Sequence, residues 1–159
     1  MALNLAEQKR VWDGLYTSEV RNNFYAFLSL RYQRRQVRIT WLTLLLSGGA
    51  AATFVTTKIA QPYPLVPPIL SIVTAAISAY SLVAKNEKKG IDSSRLSQKY
   101  AQVALSYEVM FGRMHLTTSE ELQKLDEKKT ELGEAGHSLD YSKRLMSKAE
   151  RHVKEARGF

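Results

Sequence analysis

Hydrophobic and polar positions follow three different rhythms along this chain. In residues 1–38 they alternate at helical spacing. Leu5, Trp12, Tyr16, Val20, Phe24, Phe27 and Leu28 share one broad face, and the opposite side is polar. The pattern predicts an amphipathic N-terminal helix, interrupted near Gly14, that must dock on another surface. In residues 39–84 the polar face disappears. Two apolar runs, 39–58 and 65–84, flank the short segment Ile59-Ala60-Gln61-Pro62-Tyr63-Pro64. In residues 85–159 helical amphipathicity returns among many charges. No strand pattern appears, so the expected fold class is all-α.

Each apolar run is about 20 residues, which as a helix rises about 30 Å, the thickness of bilayer hydrocarbon. Prolines 62 and 64 end the first helix, and Pro67 and Pro68 fall in the first turn of the second, where a missing N–H costs little. The expectation is a transmembrane hairpin with an N-terminal cytoplasmic helix before it and a cytoplasmic helical tail after it.

Charge sharpens this expectation. The chain has 23 Lys and Arg against 15 Asp and Glu, a net charge of +8. Between residues 39 and 84 the sole charged residue is Lys58. Arg31, Arg34, Arg35 and Arg38 precede the first run, and Lys85, Lys88 and Lys89 follow the second. The positive-inside bias then puts both termini in the cytoplasm and the turn outside. The same residues would meet anionic lipid headgroups, so membrane lipid is an expected partner. They come with no groove-reading motif, which makes nucleic acid an unlikely partner. The polar, mixed start of the chain does not read as a secretory signal and is expected to be retained.

Both runs carry stripes of small and hydroxyl-bearing residues. Thr40, Thr43 and Ser47 in the first, with Ser71, Thr74, Ser78 and Ser81 in the second, recur at three- and four-residue steps. Gly48, Gly49, Ala52, Ala75 and Ala79 would let helix backbones approach closely. The stripes serve either helix packing, with hydroxyls bonded back to their own carbonyls, or the lining of a pore formed when several hairpins assemble.

The tail shows Leu96, Tyr100, Val103, Tyr107, Met110 and Met114 in a heptad-like seam. The seam is either a core stripe within one protomer or an intersubunit coiled coil. Asn86-Glu87-Lys88-Lys89-Gly90 reads as a helix stop before it. Thr117/Glu120 and Thr118/Glu121 each fit a capping box, predicting a helix with Leu122, Leu125 and Leu132 that ends near Gly133 and Gly136. A last helix, starting near Ser138, is only weakly amphipathic and reads as frayed or partner-dependent.

Catalytic chemistry finds no foothold. There is no cysteine, which removes disulfides, thiolate nucleophiles and Cys-ligated metals. His115, His137 and His152 are scattered with no metal-ligand spacing, and no phosphate-binding loop is present. No enzyme activity, metal or cofactor is expected.

The segment Arg31-Tyr32-Gln33-Arg34-Arg35, within an Arg- and aromatic-rich helix from Tyr25 to Arg38, leads into the two apolar runs and then a charged helical tail. From Trp12 to Met114 this layout resembles the SLATT group, the two-transmembrane effectors associated with bacterial conflict systems. The resemblance implies a homo-oligomeric inner-membrane effector of antiviral defence that breaches the membrane on a nucleotide or partner signal. Its partner would be a nucleotidyltransferase, a nucleotide sensor or a reverse transcriptase. The alternative is a non-conducting anchor or scaffold whose helical tail recruits a soluble partner.

Overall fold

The computed structural model describes residues 3–47 and 66–158. Those residues form α1 (Leu5–Ser47), α2 (Val66–Ala84), α3 (Asn86–Gly112), α4 (Ser119–Ala135), a 3-10 turn (Gly136–Ser138) and α5 (Lys143–Arg157). There is no strand among them. The chain divides into two compact units, Met1–Leu30 with Gly90–Phe159, and Arg31–Lys89.

The first unit is a four-helix bundle. The start of α1 is fixed by a reciprocal cap: Glu7 N–H donates to Asn4 Oδ1, and Asn4 N–H donates to Glu7 Oε2, both at 2.9 Å. From there α1 runs without a break through Gly14. Its buried face is Val11, Leu15, Val20, Phe24, Tyr25 and Leu28, while Leu5 is 86% exposed. The expected interruption at Gly14 is absent because this glycine packs instead of bending. A Cβ there would lie 2.5 Å from Cε1 and Cζ of Tyr107, so only glycine lets the ring sit against α1.

Opposite α1, helix α3 buries Leu96, Tyr100, Val103, Ala104 and Tyr107. The structure places these seam residues inside the bundle, with Met110 and Met114 half-buried at its end. The expected helix stop at Gly90 is not found. The chain breaks one turn earlier, at Lys85, whose φ of 46° is left-handed. Gly90 lies within α3 and is buried, and its carbonyl accepts a hydrogen bond from Ser29 Oγ at 3.0 Å.

Helix α4 opens with the Thr118/Glu121 capping box, and Leu122, Leu125 and Leu132 point into the core. Helix α5 is firmer than its sequence suggests. It buries Ala149 and Val153, and Gly158 closes it in the left-handed conformation at φ 79°. Its last turn is tied to α1 by Arg157, whose Nε donates to Glu19 Oε2 at 3.1 Å while Nη2 pairs with Glu19 Oε1.

The second unit contains the end of α1, α2 and the start of α3. Here the expectation of a membrane-spanning fold is corrected. Among the described residues no helix is long and apolar enough to cross a membrane. In α1 the described apolar stretch Ile39–Ser47 directly follows Arg31, Arg34, Arg35 and Arg38. Helix α2 carries Pro67, Pro68, Ser71, Thr74, Ser78, Tyr80 and Ser81 along its 19 residues. The transmembrane hairpin is withdrawn on that finding. The same finding removes the support for a bilayer pore, for an inner-membrane location and for the membrane-based placement of both termini. The rest of the first run, 48–58, and the turn 59–64 lie outside the described residues, as do Gly48, Gly49 and Ala52.

The candidate stripes can be placed in part. Thr40 and Thr43 donate to the carbonyls of Gln36 and Ile39 at 3.0 and 2.9 Å, the back-bonding of hydroxyls within their own helix. Ser71, Ala75 and Ala79 are exposed, and Thr74 and Ser78 are half-buried. Ser47 and Ser81 fall within α1 and α2. Arg31, Arg34, Arg35, Arg38, Lys85 and Lys88 are exposed. Lys89 is half-buried, with its ammonium 5.8 Å from the centre of the buried Tyr32 ring.

Candidate functional site

Two features rise above ordinary packing, one in each unit. The first is a cavity of about 360 Å³ in the bundle, where α1, the end of α4, the 3-10 turn and the start of α5 meet. Arg21, Phe24 and Tyr25 come from α1, three and four residues apart and therefore on one face. Gly133 and Gly136 supply bare backbone, and His137, Tyr141 and Met146 complete the wall.

The cavity is built by close approaches. Arg21 Nη1 donates to Tyr100 Oη at 2.7 Å. A Cβ on Gly133 would stand 3.1 Å from that same nitrogen. A Cβ on Gly136 would collide with the Tyr25 hydroxyl. Tyr25 in turn stacks on Tyr100, with ring centres 5.6 Å apart and planes 12° from parallel. Phe24 meets Tyr25 edge-on at 5.1 Å and Tyr141 at 6.0 Å. Burial pushes the Tyr25 hydroxyl above its ordinary range; the neighbouring Tyr100 adds to this and Arg21 opposes it. No Asp or Glu lines the cavity, and among the described residues no carboxylate pairs with Arg21. The wall therefore presents a cation framed by aromatic rings.

The other polar cluster of the bundle is structural. Tyr107 is fully buried, and its hydroxyl donates to Asp126 Oδ1. Arg10 donates to Asp126 Oδ2 at 2.6 Å, and Lys129 stands 3.6 Å from Oδ1. Burial pushes the Asp126 carboxyl up, but the hydrogen bonds from Tyr107 and Arg10, with the charges of Lys129 and Arg10, outweigh it and hold it below the usual carboxylate value. Both Asp126 oxygens and the Tyr107 hydroxyl already have partners inside the cluster.

The second feature is the surface of the unit Arg31–Lys89. On α1, Trp41, Leu42, Leu44 and Leu45 are 50–64% exposed; on α2, Ile69, Ile72, Val73 and Tyr80 are 42–69% exposed. Large apolar side chains concentrated in this way mark an interaction surface on a folded protein.

Among the predicted residues, the structure gathers Leu96, Tyr100, Val103 and Tyr107 into the core, and it leaves Thr40, Ser71, Arg31, Arg34, Arg35, Arg38, Lys85 and Lys88 exposed, with Thr43, Thr74, Ser78 and Lys89 half-buried. Sequence reading missed Arg21, Tyr25, His137 and Tyr141 as one site. The available signal was Arg21 itself, a charge one helical step before the Phe24–Tyr25 pair. Among the described residues no group of three or more acidic or histidine side chains is arranged to hold a metal ion. No family model, curated protein or solved structure matches this chain.

Proposed function

We propose that the protein is a non-enzymatic, self-assembling helical effector, acting in bacterial antiviral defence under the control of a partner or signal. One observation carries the assembly reading: the unit Arg31–Lys89 leaves Leu44, Leu45, Ile72 and Tyr80 more than half exposed in a stretch nearly without charge, whereas the exposed Leu5, Leu105, Leu116 and Tyr141 of the bundle are scattered among charged residues. A second copy of the chain is the occupant that best suits this surface. The surface lies in the stretch 39–84, which bears one charged residue in a chain of net charge +8. Copies that meet there avoid the like-charge repulsion that contact elsewhere would bring. Burying a large aliphatic side chain contributes about 1.5–3 kcal/mol, so a few such residues from each copy suffice for a specific contact.

The defence assignment draws on the layout of Arg31-Tyr32-Gln33-Arg34-Arg35 before two apolar runs and a helical tail. Expression beside its native neighbouring genes, followed by phage challenge, tests it. The double variant Leu44→Lys/Ile72→Lys should keep its helical circular dichroism, lose crosslinked multimers and lose protection. Full protection by a monomeric double variant would overturn the reading. The scaffold alternative keeps the bundle as a recruiting module; in that case bundle surface changes would abolish function while multimers persist.

A further inference from the structure

The cavity between α1, α4 and α5 lies within the bundle. Small-molecule sites are typically concave, of about 300–1,000 Å³, mostly apolar, with one or two fixed polar groups. This cavity has that volume and that composition. Its polar anchor is a guanidinium that is oriented but not neutralised. The 2.7 Å bond to Tyr100 fixes Arg21, and Tyr100 is itself fully buried and stacked on Tyr25. One N–H is thus committed to a neutral hydroxyl, and the guanidinium carbon stands 5.6 Å from the centre of the Tyr100 ring, which leaves the remaining donors of the fork and a charge not neutralised by any carboxylate. Gly133 presents bare backbone beside the guanidinium, and a Cβ there would stand 3.1 Å from Nη1.

The walls beside Arg21 are flat. Phe24 and Tyr141 face one another at 6.0 Å with planes 33° apart, and Tyr141 is 70% exposed, an aromatic ring held at the mouth of the cavity. Met146 adds a polarizable thioether that suits an aromatic contact.

We infer that this cavity is a binding site for a small planar aromatic molecule carrying one anionic group, with the anion on Arg21 and the ring against Phe24 and Tyr141. A phosphate and a carboxylate share the required chemistry, because each can take a two-pronged contact from guanidinium. The inference concerns the bundle alone and goes beyond the assembly reading. Titration tests one and sedimentation tests the other, so either can fail alone.

Calorimetric titration of the full-length protein decides it, with adenosine 5′-monophosphate as the aromatic phosphate and indole-3-acetate as the aromatic carboxylate. Adenosine and inorganic phosphate supply the ring and the anion separately. Saturable binding of one or both aromatic anions is expected, at least about tenfold tighter than adenosine or phosphate alone. Whichever aromatic anion binds more tightly identifies the source. Arg21→Gln should weaken that binding at least about tenfold, and Arg21→Lys by less, because it keeps the charge without the fork. Tyr141→Ala, at an exposed position, should weaken binding while leaving the melting temperature unchanged. Absence of saturation by either aromatic anion would overturn the proposal. So would phosphate binding as tightly as the nucleotide, or Arg21→Gln and Tyr141→Ala both binding like the parent protein.

Discussion

Tyr107 rests its buried ring on the bare backbone of Gly14, with no room for even a methyl group between them. This contact joins α1 to α3 at the level where the Tyr107 hydroxyl also reaches Asp126 on α4. Three helices are therefore positioned through one side chain.

Gly14→Ala should destabilise the bundle. Alanine improves helix propensity by about 0.5–1 kcal/mol, but overpacking a filled site costs about 1–3 kcal/mol. The expected net loss is about 1–2 kcal/mol in urea denaturation. At Gly112, the last residue of α3, a Cβ would meet nothing within 4 Å, so Gly112→Ala should be neutral or slightly stabilising. Equal effects at the two positions would contradict the packing role of Gly14.

Asp126→Ala removes the acceptor of a buried phenol, which costs about 1–3 kcal/mol when the donor is left unsatisfied. Tyr107→Phe removes the donor as well as the need for it and should cost less. A double-mutant cycle read by denaturation measures the coupling.

The same pair gives the bundle pH dependence at both ends. The folded Asp126 carboxyl titrates below its ordinary value of 3.8, so its contribution is present above about pH 4 and is lost as pH falls through the lower folded value. Burial, reinforced by the hydrogen bond to Asp126 and its charge, pushes the Tyr107 hydroxyl well above its ordinary 10.0. Its contribution is present below about pH 10 and declines as pH rises beyond it. Asp126→Asn should flatten the acid limb of a stability–pH profile. Phenolate absorbance should show one tyrosine that ionises only on unfolding.

Much of this architecture is legible in the residues, and what is not legible depends on contacts between distant parts of the chain. The Thr118–Glu121 cap is local, so spacing reveals it. The seam through Leu96, Tyr100, Val103 and Tyr107 is periodic, so it is visible too, although periodicity leaves open whether it faces its own chain or another. Gly14 and Gly90 look like helix breaks in sequence. Their role depends on Tyr107 and Ser29, which lie far along the chain. The Arg21 cavity joins two stretches far apart in the chain, 21–25 and 133–146, and has no local signature. The stretch 39–84, with Lys58 as its one charged residue, shows an avoidance of charge, but composition does not distinguish a membrane span from a protein contact.

Helix α5 illustrates the same distance problem. It buries only two small residues, Ala149 and Val153, and is held further by Lys148 and His152 against Phe27 and by Arg157 on Glu19, a partner 138 positions away. Arg157→Lys should lose the two-pronged contact despite keeping the charge. The global cost should be about 1 kcal/mol or less, since the pair is partly solvated. Amide exchange in the last turn of α5 should accelerate while that of α3 stays unchanged. Uniform acceleration across the bundle would show that α5 does not open separately.

Self-assembly through the apolar unit is the central claim, and sedimentation velocity on the full chain in detergent-free buffer tests it most directly. The parent protein should sediment as a concentration-dependent oligomer, and Leu44→Lys/Ile72→Lys as a folded monomer. A parent that stays monomeric across the concentration range, or that associates only when lipid vesicles are supplied, would contradict the account.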